Sequence, residues 1–587
     1  MTTLPFARLL LIVLPIACVG LFGRVYYTPD EPREASLVAA MVVQPDKAVP
    51  QLAGRPFAEK PPLLYWLGGA AVAEFGASPA AARLPNLAYL LVTALAIGWL
   101  AASAAGARAG FAAGLVAVTA LQLYQVLTWL ATDAPLVMGV AVALLGAFQG
   151  LTARGRRARL GGYLLLHLGL AVAFFAKGFA GWMVPVLAFL TVVVAERRWR
   201  ELLCVELWAG VPLLVLAIGT WVWFVARLPD GPVWLKVLFW YNLVGRALPV
   251  EAPLEFAYAA GHRNFPGKYL IELPLYLLPW TPLAFAALRR VPRGWRLPGA
   301  EGTAWRLALG AIVPATLLLS LAATGRGVYY GPPALGFAIL IGLYVGSAGT
   351  ALDRHDRRAW RLTGALIAVL AVALASLAVL AALAPAVREP VGMALAALAV
   401  LAGGYAAWLA LRLPVAAAGA LPRQALAMAL VLTCVIGPLL RQLNDWQSLE
   451  AVAGRIAAAA RNRPLIFLDA DETTMAMADL YIPRTEVLAV LGSGERDATP
   501  RAAAALAASE RAARIVWLIP DRKPWELGEW LGFLGYGRAP PLPPVPATLP
   551  GGLGPLKLEC TLVRPGGRAF AVLAAATAPA VPGAWCR

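Results

Sequence analysis

Apolar positions along this chain fall in long unbroken runs, without the strict alternation of a half-buried strand or the narrow stripe of a surface helix. A run of about 18 or more apolar residues crosses a bilayer as a helix, and roughly thirteen such runs are found. Short bursts of arginine separate them: Arg154, Arg156, Arg157 and Arg159; Arg197, Arg198 and Arg200; Arg289, Arg290, Arg293 and Arg296; Arg354, Arg357, Arg358 and Arg361. By the positive-inside rule these bursts mark the cytoplasmic ends of the runs. With Arg8 also inside, the first span covers Leu9 to Phe22, and residues 23–83 form a first outer loop. Further outer segments are predicted at Thr128 to Pro135, at Lys177 and Gly178, at residues 229–269, and at Thr324 to Pro333. The first run is open to a signal-peptide reading, with Ile16-Ala17-Cys18-Val19 as a lipoprotein site. Pro15, however, stands where such a site wants Leu and many runs follow, so an uncleaved helix is expected.

From about Arg441 the apolar runs shorten and begin to alternate. Pro464 to Leu468, Glu486 to Leu491 and Ile515 to Ile519 read as strands, and Ala502 to Arg514 as a helix. The predicted organisation is a membrane domain over residues 1–440 and a small α/β domain over residues 441–587. An odd number of spans after an inside start puts that second domain outside.

Composition narrows the class. Of 587 residues, 60% are hydrophobic and 14% charged, far more apolar surface than a soluble fold needs for its core, so a soluble enzyme is excluded. The net charge of +18 lies in the bursts between runs, which excludes nucleic-acid binding as its purpose. Cys18, Cys204 and Cys434 fall in spans and read as small apolar packing residues. Cys560 and Cys586 fall in the outer domain, as a disulfide or as two free thiols.

A carboxylate at mid-membrane costs roughly 2.5 to 3.5 kcal/mol, so acids beside spans need a reason. In Asp30-Glu31-Pro32-Arg33-Glu34-Ala35, residues Asp30, Arg33 and Glu34 share one helix face; the plain alternative is a helix start with Asp30 as N-cap. In Glu59-Lys60-Pro61-Pro62-Leu63-Leu64-Tyr65-Trp66 the prolines push Lys60 out of the helical region and begin an interfacial helix. That pins Glu59 and Lys60 at the bilayer surface, either as part of a site or as a solvated ion pair. Asp133, in Thr132-Asp133-Ala134-Pro135, is a second acid at the same outer level or else another N-cap. Lys177-Gly178 adds a cation at that depth, or a snorkelling lysine. The loop 229–269 carries Asn242, Arg246, His262, Arg263 and Lys268, and Tyr329-Tyr330 follow Arg326; aromatic belts account for such tyrosines equally well. Together these residues describe a mixed-charge pocket at one membrane boundary. It suits a lipid-borne phosphate, with cations holding the anion and a carboxylate orienting or deprotonating a nucleophile.

At these residues the chain resembles the bacterial aminoarabinose lipid A transferases and their wider GT-C relatives, the polyprenyl-phosphate-sugar transferases related to protein O-mannosyltransferases. The family's first outer loop reads Asp-Glu-x-Arg-Tyr-Ala-Glu, matched by Asp30, Glu31, Arg33 and Ala35, whereas Glu34 and Ser36 replace its Tyr and second Glu. Glu59-Lys60-Pro61-Pro62 with Tyr65-Trp66 matches a second signature, followed by Arg83-Leu84-Pro85; Thr132-Asp133-Ala134-Pro135-Leu136 and Lys177-Gly178 match two more. Pro279-Trp280 and the Arg326 to Pro333 segment fit more loosely. The resemblance covers the first two thirds of the chain and implies a GT-C fold, an α-helical polytopic membrane protein with about 13 transmembrane helices.

It further implies a bacterial inner-membrane glycosyltransferase acting on the periplasmic side. Such an enzyme moves 4-amino-4-deoxy-L-arabinose from an undecaprenyl-phosphate carrier to lipid A with inversion. The same carrier chemistry with a hexose and another envelope glycan or protein acceptor stays open, and a lipid or solute transporter is the rival from another class. Transporters place charges near the midplane and often show inverted repeats, neither of which is visible here. Carried over, Asp30 and Asp133 are the catalytic carboxylates, and Arg33, Lys60, Lys177, Arg246, Tyr329 and Tyr330 hold lipid phosphate and substrate. In some relatives a pair such as Glu59 and His262 binds a divalent metal ion, and no other cofactor is implied. Ile466-Phe467-Leu468-Asp469-Ala470-Asp471-Glu472-Thr473 mimics a phosphatase strand and Asp-x-Asp-x-Thr, but with no downstream acidic pair it reads as a turn after a strand.

Overall fold

The computed structural model describes residues 4–245, 248, 265–322, 324–347, 352–384, 390–412, 417–460, 463–493, 495, 497–510, 512–519, 550–563 and 568–577. Among these, nine helices are long and apolar enough to cross a membrane. Two bent pairs, each a broken span or a re-entrant loop, raise the number to as many as eleven: Ala107–Thr119 with Leu121–Thr128, at 64°, and Lys268–Tyr276 with Thr281–Gly294, at 117°. One of the nine, Arg156–Ala195, has 40 residues; at about 1.5 Å per residue it is roughly twice the thickness of the hydrocarbon layer. It doubles back. Trp182 Nε1 donates to the Leu170 carbonyl at 2.9 Å, Arg198 reaches the Leu151 carbonyl at 2.6 Å, and Arg159 meets Glu201 at 2.7 Å. The stretch is therefore two spans joined at Lys177–Trp182, where Gly178 takes a φ of +65° that a side chain would strain. By length and composition nine to eleven of the described stretches qualify as spans; dividing this one and adding the shorter first helix, Leu4–Leu21, brings the reading to the roughly thirteen apolar runs of the sequence. Leu63–Phe75, only 13 residues, is too short to cross and belongs to the first loop.

One end of the bundle carries the arginine bursts; the opposite end carries Asp30, Lys60, Asp133, Lys177 and Tyr329. The hairpin of Asp133–Thr152 and Arg156–Lys177 brings the two charged residues at its open end together because its helices pack backbone to backbone. A Cβ on Gly146 would sit 2.2 Å from Leu166 N, and one on Gly169 would sit 2.3 Å from Ala143 N. In lipid, where no hydrophobic drive holds helices together, such close approach is what small residues provide.

The first outer loop is ordered around a buried ion cluster. Glu31 accepts from Arg24 at 2.6 and 3.0 Å, from Arg83 at 3.0 and 2.8 Å, and from the backbone N–H groups of Tyr27 and Leu130, both at 2.8 Å. Further guanidinium protons go to the carbonyls of Gly20, Thr128, Arg24 and Val25. One carboxylate thereby ties the end of the first span, the loop helix Asp30–Val43, the start of Pro79–Ala105 and the segment after Leu121–Thr128.

The C-terminal part is a five-stranded mixed sheet. Leu465–Ala470 pairs in parallel with Val487–Gly492 and Arg514–Leu518, and Arg514–Leu518 continues antiparallel into Ala569–Ala575 and then Leu556–Val563. Leu449–Ala460 and Glu472–Tyr481 cover one face, and Ala498–Ala508 covers the other. That last helix begins earlier than the predicted Ala502 and stops before Arg514, which is already in a strand. Cys560 lies on Leu556–Val563, whereas Cys586 lies outside the described residues. The sheet unit docks on the first loop: Ser36 Oγ donates to Asp479 at 2.8 Å, Asp479 accepts the Ala53 N–H at 2.7 Å, and Arg55 pairs with Glu495.

Candidate functional site

Asp30 and Asp133 hold the same place in their helices, the first residue after the N-cap. The caps are Pro29 and Thr132, and neither makes a side-chain capping bond. The N-cap alternative thus fails for both aspartates, and each carboxylate meets a cation instead. Asp30 Oδ2 accepts from Arg326, with the Arg33 guanidinium 3.8 Å from its other oxygen; Asp133 accepts from Lys177. The Lys177 ammonium also lies 4.4 Å from the centre of the Tyr329 ring, so it neither snorkels nor stands in solvent.

Around them the first loop supplies Arg33, Glu34, Glu59 and Lys60. Arg33 contacts four carboxylates: Glu34 at 2.6 Å, Glu472 at 2.5 Å, Asp30 at 3.8 Å and Glu59 at 3.9 Å. Lys60 Nζ lies 3.3 Å from both Glu34 and Glu59, and Tyr65 donates to Glu34 at 2.7 Å. Burial alone would push the Glu34 carboxyl up, but Lys60 and Arg33 outweigh it and hold the group below the usual carboxylate range. Burial would likewise lower Lys60, and Glu34 and Glu59 more than offset it, so its ammonium sits above the ordinary lysine range. These groups carry charge at neutral pH; the Glu59-Lys60 pair is not a solvated surface bridge, since its side chains are 7% and 11% exposed.

The charged residues line a narrow pocket formed by Asp30, Arg33, Glu34, Lys60, Asp133, Lys177, Arg326 and Tyr329, with Gln125 and Trp129 completing the wall. Beside it lies an apolar cavity of about 560 Å³, walled by Pro61, Leu136, Phe179, Val184, Phe239, Leu318 and others. Both share Lys60, Lys177 and Tyr329, so two cations and a phenol ring stand where a polar chamber meets an oily one.

Tyr330 turns away from this junction. It is fully buried, bonded to Thr316 at 2.8 Å and stacked on Tyr269 at 5.6 Å. Arg246 and His262 lie outside the described residues. Among the described residues no group of three or more His, Cys, Asp or Glu is placed to hold a metal ion. The surroundings of Glu59 do not suit a divalent cation, because its carboxylate lies against Arg33 and Lys60. Sequence reasoning missed Arg326 and Glu472 as members of the network. Arg326 had one signal, its position just before the tyrosine pair in an outer segment. Glu472 sits on the phosphatase-like stretch, where Asp471 caps its helix by accepting from Thr474 N at 2.8 Å and Asp469 accepts from Trp517.

Residues 59–223 match the family described as dolichyl-phosphate-mannose-protein mannosyltransferase. The undecaprenyl phosphate-alpha-4-amino-4-deoxy-L-arabinose arabinosyl transferase of Edwardsiella ictaluri is 30% identical over 350 residues, 59% of this chain and 60% of that protein. Its counterpart in Aeromonas salmonicida is 30% identical over 367 residues, 62% of each chain. The matches thus span about 60% of the length of these curated relatives. A crystal structure of ArnT from Cupriavidus metallidurans bound to undecaprenyl phosphate superposes with a TM-score of 0.69 at 18% identity, covering 99% of this chain and 100% of that one. The chain shares the fold of that structure.

Proposed function

We propose that this chain, an ArnT-like relative by sequence and fold, is an inverting glycosyltransferase that moves 4-amino-4-deoxy-L-arabinose from undecaprenyl phosphate to a phosphate of lipid A. One observation carries the reading: the apolar cavity and the charged pocket meet at Lys60, Lys177 and Tyr329. A polyprenyl phosphate needs that arrangement, an oily channel for the chain and cations at its end for the phosphate. The arginine bursts at the far end of the bundle support a bacterial inner-membrane location with the site and the C-terminal domain on the periplasmic side.

In this mechanism Lys60 and Lys177 hold the donor phosphate, joined by Arg246. An oxygen of the acceptor attacks the anomeric carbon from the opposite face. The carbon–oxygen bond to the carrier phosphate breaks, its electron pair passes to that phosphate, and the configuration inverts. The cations favour this step because the carrier gains charge as it departs. A phosphate acceptor, with a second pKa near 6, is already anionic at pH 7 and needs orienting more than deprotonating. Asp30 and Asp133 serve that task through the cations they hold, Arg326 and Arg33 beside Asp30 and Lys177 on Asp133, whose N–H groups can meet the anion. The carboxylates of Asp30, Glu34 and Asp133 in the pocket wall favour a sugar bearing an ammonium over a neutral hexose. The test is donor competition with purified protein: undecaprenyl-phosphate aminoarabinose is expected to be consumed in preference to the corresponding hexose donor. Equal or preferred use of the hexose rejects the sugar assignment.

A further inference from the structure

A second cavity of about 620 Å³ opens between Thr281–Gly294 and Arg354–Leu383, reaching the arginine-rich end. This is the size of a ligand site. Leu275, Phe285 and Leu362 along it are each more than half exposed, and Ala286 and Ala359 keep its floor low. Arg289, Arg358 and His355 line it as well. The neighbouring Arg290 is already satisfied, bonded to Asp356 at 2.8 Å and lying over the Tyr344 ring at 4.9 Å. Neither Arg289 nor Arg358 has a carboxylate within ion-pair distance among the described residues. Two guanidinium groups without a contact carboxylate thus stand over an apolar trough, with Asp353 near enough to Arg289 to feel its charge.

We propose that this trough is a binding site for an acidic glycerophospholipid of the leaflet at the arginine-rich end, with its phosphate on Arg289 and Arg358, His355 at the rim, and one acyl chain lying along Phe285 and Leu362. Charge complementarity selects the occupant: basic pockets between spans at this level take acidic head groups, and the arginine fork matches phosphate oxygens in pairs. A zwitterionic lipid brings its own cation to the same arginines and binds less well.

The full chain is placed in phosphatidylcholine nanodiscs containing a minor fraction of phosphatidylglycerol, and retained lipids are counted by native mass spectrometry after detergent extraction. Wild type and the charge-keeping Arg289→Lys/Arg358→Lys variant are expected to retain phosphatidylglycerol over phosphatidylcholine, and Arg289→Ala/Arg358→Ala to retain it at least about tenfold less. Equal retention by all three, no preference between the lipids, or stronger retention of undecaprenyl phosphate on the same arginines overturns the proposal. A measurement on wild type alone guards against a variant that fails to fold. Phosphatidylglycerol carrying a photoreactive acyl chain is expected to label peptides containing Phe285 or Leu362, and labelling spread evenly over the lipid-facing helices overturns it too.

Discussion

Asp30 and Asp133 show how much a single residue's surroundings decide. Both follow an N-cap and could have served only to start a helix, yet both are spent on cations across the pocket. Asp30→Asn keeps the shape and removes the charge. Transfer is expected to fall by roughly 10²- to 10⁴-fold in kcat, the range for a positioned acid–base or orienting group, with the fold intact by size-exclusion profile. Lys60→Ala is expected to act on binding, raising the donor KM by about tenfold or more, the effect of losing one charge-assisted contact to phosphate. Because Lys60 titrates above the ordinary lysine range, its charge persists and donor affinity is expected to stay level between about pH 7 and 9. Glu31 belongs to structure. Burial would raise its carboxyl, but Arg24 and Arg83 overcome that and hold it at about 2 against an ordinary 4.5. A folded-state pKa below the unfolded one gives stability that is present above 4.5 and lost as pH falls towards 2; its size is on the order of 3 kcal/mol. Glu31→Gln leaves two buried guanidinium groups without their counter-charge and is expected to cost roughly 3 to 5 kcal/mol, read as a lower thermal midpoint in detergent.

At the scale of elements, the motifs were legible because each is a local signal: a proline pair after Glu59-Lys60, an acid before Pro135, a lysine–glycine break in an apolar run. The partners of those motifs were not, because nothing local links Asp30 to Arg326 or Arg33 to Glu472, which lie 296 and 439 residues apart. The departure at Ser36 has a similar explanation, since its hydroxyl is used by Asp479 of the sheet unit. Glu472 therefore acts on the site through Arg33. Glu472→Gln is expected to lower transfer by roughly 2- to 30-fold, the span of coupling energies carried through a neighbour, and to shift the donor KM more than the thermal midpoint. The hairpin that pairs Asp133 with Lys177 rests on backbone contact at Gly146. Gly146→Val is expected to splay it, abolishing transfer while Gly404→Ala, which meets open space, leaves activity unchanged.

Across the whole molecule, hydrophobic runs and arginine bursts were enough to predict a polytopic helical bundle with an arginine-rich end, since both follow from transfer energetics that act along the chain. The doubling back at Lys177–Trp182 was visible in advance only as a charge and a glycine inside a run. Less legible was the C-terminal unit, where short strands and an early helix boundary reflect sheet pairings made at long range. Together the layout is a bundle with arginine at one end, a polar chamber opening onto an oily one at the other, and a sheet unit fastened over the loop that builds the chamber. The most direct test of the central claim is transfer from synthetic undecaprenyl-phosphate aminoarabinose to lipid A by the purified protein, read as lipid A mass beside Asp30→Asn and Lys60→Ala. With donor held below the wild-type KM, a mass shift with wild type that Asp30→Asn abolishes and Lys60→Ala sharply reduces is the predicted result; no shift from well-folded wild type, or a shift that survives both substitutions, contradicts it.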